Sequence, residues 1–117
     1  MENDFESKNI TFEDFLKVDM RVGKIIDAQI NKKAIKPAFA LKIDFGNLGV
    51  KDSSAQITEN YTAENLVGQQ VIAVVNFPPK KVAGVKSEVL VLAAVCPNNG
   101  TVLLQPISEV RLGTRIL

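Results

Sequence analysis

The chain has 117 residues and a mass of 12.8 kDa, enough for one hydrophobic core and too little for two. Its 46% hydrophobic and 23% charged residues are ordinary for a globular protein. A single cysteine, Cys96, excludes an internal disulfide, and the absence of histidine excludes Cys/His zinc sites and His-dependent catalytic triads.

The net charge of +1 hides an uneven distribution. Residues 1–20 carry two basic groups against six acidic, residues 21–92 ten against six, and residues 93–117 two against one. The centre is moderately basic, well short of what non-specific phosphate attraction alone would need. No run reaches membrane-spanning length, and the start MENDFES lacks a basic segment followed by an apolar one. A cytoplasmic protein without direct membrane insertion is expected.

Residues 1–10 read as a solvated arm with Phe5 and Ile10 as docking points. Thr11 and Asp14 form a capping-box pair for a short helix over Phe12–Lys17, with Phe12, Phe15 and Leu16 on one face. That face either plugs the end of the core or contributes to a dimer contact. Val18–Ile30 alternates as a long strand, with Val18, Met20, Val22, Ile26, Ala28 and Ile30 on one parity. Gly23 interrupts the alternation and marks a bulge or bend where the strand curls.

The segment Asn31–Pro37 is a loop carrying Lys32, Lys33 and Lys36. Phe39, Leu41, Ile43 and Phe45 alternate with Lys42 and Asp44 as a second strand, which ends in the turn-like Gly46–Gly49. Val50–Ile57 is a third strand with Ser53, Ala55 and Ile57 on the inward parity. Thr62 caps a short helix through Asn65 and Leu66, stopped by Gly68. Tyr61 is either a packed ring or a residue at the ligand edge.

Val71–Val75 and Val89–Val95 are rich in β-branched residues and form the fourth and fifth strands. Between them, Phe77-Pro78-Pro79-Lys80-Lys81 and Lys86 make a basic loop that the prolines stiffen. Pro97–Gly100 is a turn, Thr101–Gln105 a returning strand, and the apolar tail with Val110, Leu112, Ile116 and Leu117 docks on its own barrel or across a two-fold interface.

A short helix between strands three and four, in a chain of five main strands, indicates an all-β, five-stranded barrel of oligonucleotide/oligosaccharide-binding (OB) type. Residues 1–117 form one domain, with 1–17 and 97–117 as terminal extensions. So small a barrel is filled by its own side chains, and binding belongs outside it, near loops 31–37 and 76–87. Phe77, Pro78, Pro79, Val82 and Val85 place apolar area among the lysines, a mixed surface suited to unfolded polypeptide. Aromatic stacking for single-stranded nucleic acid is meagre, since there is no Trp. Glu88 and Asp44 do not pair as catalytic carboxylates, and no Gly-rich phosphate loop or metal cluster is present, so no enzyme activity, cofactor or metal is expected.

Three runs carry a family likeness: DMRVGKI (19–25), SSAQITENYTAENLVGQQV (53–71) and NFPPKKVAGVKSEVLVLAA (76–94). They resemble the tRNA-binding domain family found at the end of bacterial methionyl-tRNA synthetases. IDFGNLG followed by VKDSSAQI makes the chain more similar to the short stand-alone branch called CsaA, the export-related chaperones. The resemblance implies an OB barrel, a homodimer built with the terminal extensions, and no catalysis. It implies binding of unfolded or precursor polypeptides in connection with a protein-translocation component, and binding of tRNA. By motif match the RNA contacts fall on Ser53, Ser54, Gln56, Asn76, Lys80, Lys81, Lys86 and Ser87. Glu88 departs from the RNA-binding pattern, because a carboxylate there opposes phosphate.

Overall fold

The computed structural model describes residues 8–117. In chain order these hold helix α1 (Phe12–Leu16), strands β1 (Met20–Ile30), β2 (Phe39–Asp44) and β3 (Val50–Ala55), helix α2 (Ala63–Leu66) and strand β4 (Gln70–Val74). Five short strands follow: β5 (Lys80–Val82), β6 (Val85–Ser87), β7 (Leu90–Val91), β8 (Ala93–Cys96) and β9 (Gly100–Leu103). The main sheet is a five-stranded, nearly closed barrel in the order β3-β2-β1-β4-β7, as an OB-type barrel requires. The β5–β6 and β8–β9 pairs are separate hairpins.

β1 serves both halves of the barrel. Residues Met20–Lys24 pair with β4, and Lys24–Ile30 pair with β2. The edge of Met20–Val22 that β2 leaves open is covered by the C-terminal tail. There Val22 N donates to Thr114 O (2.9 Å), Gly113 N to Val22 O (2.8 Å) and Ile116 N to Met20 O (2.9 Å). Gln70 clamps the same tail by donating to Val110 O and accepting from Val110 N (2.7 and 3.1 Å). The tail therefore docks on its own barrel.

The bulge falls three residues beyond the position expected from the sequence. The register shifts between Ile25 and Asp27, so Ile26 is the extra residue and is turned outward. Gly23 has another task. A Cβ there would lie 2.6 Å from both Ile43 Cγ2 and the Phe45 ring, so the missing side chain lets β2 pack across β1.

The core takes Ile25 and Ala28 from β1, Phe39, Leu41 and Ile43 from β2, Phe45 beyond it, Ile57, Leu66 from α2, Val71 and Ala73 from β4, Val89 and Leu103. Both helices start with reciprocal caps. Asp14 N donates to Thr11 Oγ1 (3.1 Å) and Thr11 N to Asp14 Oδ2 (3.2 Å), while Thr62 and Asn65 repeat the exchange at 3.2 and 2.9 Å. The backbone bond from Thr11, reinforced by Lys17, holds the Asp14 carboxyl below its usual range. α1 buries no residue, and Phe12 remains 66% exposed, so this helix does not plug the core. Phe5 lies outside the described residues, and Ile10 is exposed.

The apolar run 89–95 is also not one strand. Leu90–Val91 pairs with β4, Leu92 N donates to Ile72 O, and the chain then turns into the β8–β9 hairpin. Val95 consequently stands 80% exposed. Tyr61 is a packed ring, with its hydroxyl accepting from Leu103 N at 2.9 Å.

Candidate functional site

The site begins where β4 ends. Asn76 Oδ1 accepts from Asp19 N (3.0 Å) and its Nδ2 donates to Lys17 O (2.7 Å), which brackets the end of α1 to the end of β4. Phe77, Pro78 and Pro79 follow in an exposed segment that bends at Phe77, and the chain then forms the β5–β6 hairpin instead of an irregular loop.

Lys80 pairs with Ser87, Lys81 with Lys86 and Val82 with Val85. The turn residues Ala83 (φ 47°) and Gly84 (φ 86°) both take the left-handed conformation of a type I′ turn. Alanine is an uncommon occupant of that position, and Asn31 Nδ2 steadies it by donating to Ala83 O at 3.2 Å. Lys33 reaches the same turn, with its Cδ 3.4 Å from where a Gly84 Cβ would sit. Loop 31–37 and the lysine hairpin are thus neighbours. Lys81 and Lys86 sit directly opposite one another, a like-charge pair that an anion would relieve.

The base of the hairpin closes the barrel against β3. Glu88 N donates to Asp52 O (2.8 Å), and Asp52 N to Glu88 Oε2 (2.9 Å). Ser53 Oγ donates to Val89 O (2.8 Å), and Ser54 N to Ser87 Oγ (3.3 Å). These bonds stand in for the ladder that β3 and β7 do not form. Glu88, read from the sequence as a charge opposing phosphate, is a seam residue here.

Two grooves flank the hairpin. The larger, about 560 Å³, is lined by Ser54, Phe77, Pro78, Pro79, Lys80, Val82 and Ser87, with Glu88, Val89 and Leu90 completing its wall. Phe77 is 54% and Leu90 50% exposed, so the groove offers apolar area framed by one lysine and one carboxylate. The second, about 420 Å³, lies over β1–β2–β3 and is lined by Asp27, Gln29, Lys42, Asp52, Val85 and Lys86 among others. One of its two lysines is neutralised within the groove. Lys42 Nζ donates to Asp52 at 3.0 Å, and this bond holds the ammonium above the ordinary lysine value.

Seven of the sequence-derived candidates therefore meet in the larger groove, while Val85 and Lys86 line the second. Lys81 is exposed on the hairpin, and Gln56 is exposed just past the end of β3 in neither groove. Ser53 is fully buried, and the Asn76 amide is committed to the bracket. Leu90 was missed because nothing in an apolar run signals exposure. Asp27, Lys42 and Asp52 were detectable, since the polar parity of the first three strands places them on one outer face. Among the described residues no group of three or more His, Cys, Asp or Glu could hold a metal ion, and no helix is long and apolar enough to cross a membrane.

Residues 20–115 match the family described as "Putative tRNA binding domain". A methionine–tRNA ligase of Thermococcus onnurineus is 40% identical over 107 residues, 92% of this chain but 14% of that enzyme. The chain thus spans about one-seventh of the length of the ligases it matches. The structure of the chaperone CsaA from Bacillus anthracis is 55% identical, with a TM-score of 0.89 over 94% of this chain and 100% of that one. The CsaA chaperone protein of Picrophilus torridus is 50% identical, with a TM-score of 0.87 over 93% and 100%. Matched along most of its length by both sequence and fold, the chain belongs to the tRNA-binding domain family, in its CsaA branch.

Proposed function

We propose that the protein is a non-catalytic, cytoplasmic, homodimeric chaperone that holds unfolded or precursor polypeptides during export. The observation that carries this reading is the groove beside the β5–β6 hairpin. It is apolar at Phe77, Pro78, Pro79, Val82 and Leu90, open to solvent, and edged by Lys80 and Glu88. Such a surface accepts many unfolded segments and discriminates little among them. Full-length similarity to two proteins named as CsaA chaperones supports the same reading.

Phe77 supplies the largest exposed apolar side chain of the groove. Phe77→Ser is expected to weaken capture of a reduced, unfolded model polypeptide by about tenfold, the loss of roughly 1–2 kcal/mol of apolar contact. Unchanged capture by a folded variant would move the site elsewhere.

The dimer reading rests on apolar area that the monomer leaves open at Ile10, Phe12, Leu16 and Val18 and, in the tail region, at Ile107 and Leu117. Two grooves in one particle would add avidity for a long client. Light scattering is expected to give twice the 12.8 kDa chain mass, and a purely monomeric particle at micromolar concentration would refute it.

A second reading, tRNA binding, is favoured by the opposed Lys81 and Lys86, the adjacent Lys80 and Lys33, and the matching family model. Lysines act as point charges without bidentate geometry, so such binding would follow backbone and shape more than bases.

A further inference from the structure

We propose that the polypeptide is held as an added β-strand: an extended segment pairs antiparallel with the outer edge of β5, two apolar side chains enter the Phe77 groove, and an acidic residue between them faces Lys81. This inference rests on the chaperone reading and specifies how that groove would be filled.

Among the described residues β5 pairs with β6 alone, so its other edge is unpaired. The two-residue turn Ala83–Gly84 makes Val82 and Val85 a hydrogen-bonded pair. The alternation then makes Lys81 and Lys86 a non-bonded pair, so the N–H and C=O of Lys81 point away from β6. Lys81 is exposed, and among the described residues neither group has a backbone partner outside the hairpin, so both can pair with an incoming backbone. Pro79, one step before β5, has no N–H to offer, so Lys81 is the two-point anchor.

Side-chain direction follows from the same register. Lys80, Val82 and Ser87, the partner of Lys80, line the Phe77 groove; Lys81 falls between Lys80 and Val82 on the opposite parity, and its partner Lys86 lines the second groove, joined there by Val85 beside the turn. Residues directly opposite in an antiparallel pair share a face. Client residues opposite Lys80 and Val82 therefore project over Phe77 and the prolines. The client residue opposite Lys81 joins Lys81 and Lys86, where a carboxylate completes an otherwise repulsive pair. The preferred segment is apolar–acidic–apolar in extended form, with main-chain bonds supplying affinity independent of sequence.

The test uses a fluorescein-labelled peptide, Gly-Ser-Leu-Asp-Leu-Ser-Gly, beside the same peptide N-methylated at its Asp and a third with Lys in place of Asp. Affinity is read by anisotropy with the full-length protein. N-methylation is expected to weaken binding at least tenfold and the Lys peptide to bind severalfold more weakly than the parent. Lys81→Pro, which deletes the outward N–H without removing a hairpin bond, is expected to bind more weakly than Lys81→Ala, which keeps it. Equal affinity for parent and N-methylated peptides would overturn strand addition. So would Phe77-dependent capture of unfolded polypeptide without any binding of the parent peptide, although the groove reading would stand. Failure to bind either peptide or unfolded polypeptide would overturn the chaperone reading itself.

Discussion

Replacing Gly23 by alanine is expected to lower the melting temperature by about 5–20 °C, the equivalent of the 1–3 kcal/mol typical of an overpacked core. The added Cβ would meet Ile43 Cγ2 and the Phe45 ring at 2.6 Å, and both residues are completely buried, so neither has solvent to move into. Gly23 also pairs with Val71, which prevents β1 from backing away without losing its ladder with β4. Phe45→Leu in the same chain removes the ring atoms in the way. The double variant should lose less than the sum of the two single losses, the mark of a direct steric coupling. A Gly23→Ala melting temperature within 2 °C (about 0.5 kcal/mol) of the parent would show that β1 and β2 do not approach as described.

The second large effect is electrostatic. Converting Lys80, Lys81 and Lys86 together to alanine is expected to reduce tRNA affinity, and to make its dependence on salt shallower by about two to three units of log affinity per log salt, one unit or slightly less per lost phosphate contact. The three are exposed, paired across one short hairpin, and joined there by Lys33. Two acids near the hairpin are already engaged, Asp52 by Lys42 and Glu88 by the Asp52 amide. The loss should therefore not be offset by local rearrangement. Equal tRNA affinity and slope in variant and parent would remove the hairpin from RNA recognition.

Much of the barrel is local information. The Thr11–Asp14 and Thr62–Asn65 caps, the inward Phe39, Leu41, Ile43 and Phe45, and the inward parity of Ser53 and Ile57 all follow from short-range pattern. What was not legible depends on distant partners. Gly23 looked like the bulge, but the two-for-one residue is Ile26, and a bulged residue carries no signature of its own. Val89–Val95 looked continuous because β-branching favours strand without saying where a strand changes sheet. The β5–β6 hairpin was hidden because Ala83, not Asn or Asp, precedes Gly84 in its turn.

The candidate site divided for a related reason. Hydroxyls and amides fit RNA recognition equally well as structural bonding, and only the closed barrel distinguishes them. Ser53 and Ser87 bond across the β3–β7 gap, and Asn76 ties two chain ends together. The side chains of Phe77, the prolines and Lys80 have no such internal employment in the described hydrogen bonds and ion pairs, which leaves them available to a ligand.

The most direct measurement is a matched titration of the protein with an unfolded precursor polypeptide and with folded tRNA, each at low and at physiological salt. Polypeptide affinity that persists across the salt range, with tRNA affinity falling steeply, is the result expected of a groove that binds chiefly through apolar and main-chain contacts. Polypeptide binding lost at physiological salt while tRNA remains bound would contradict the chaperone reading and leave an RNA-binding module.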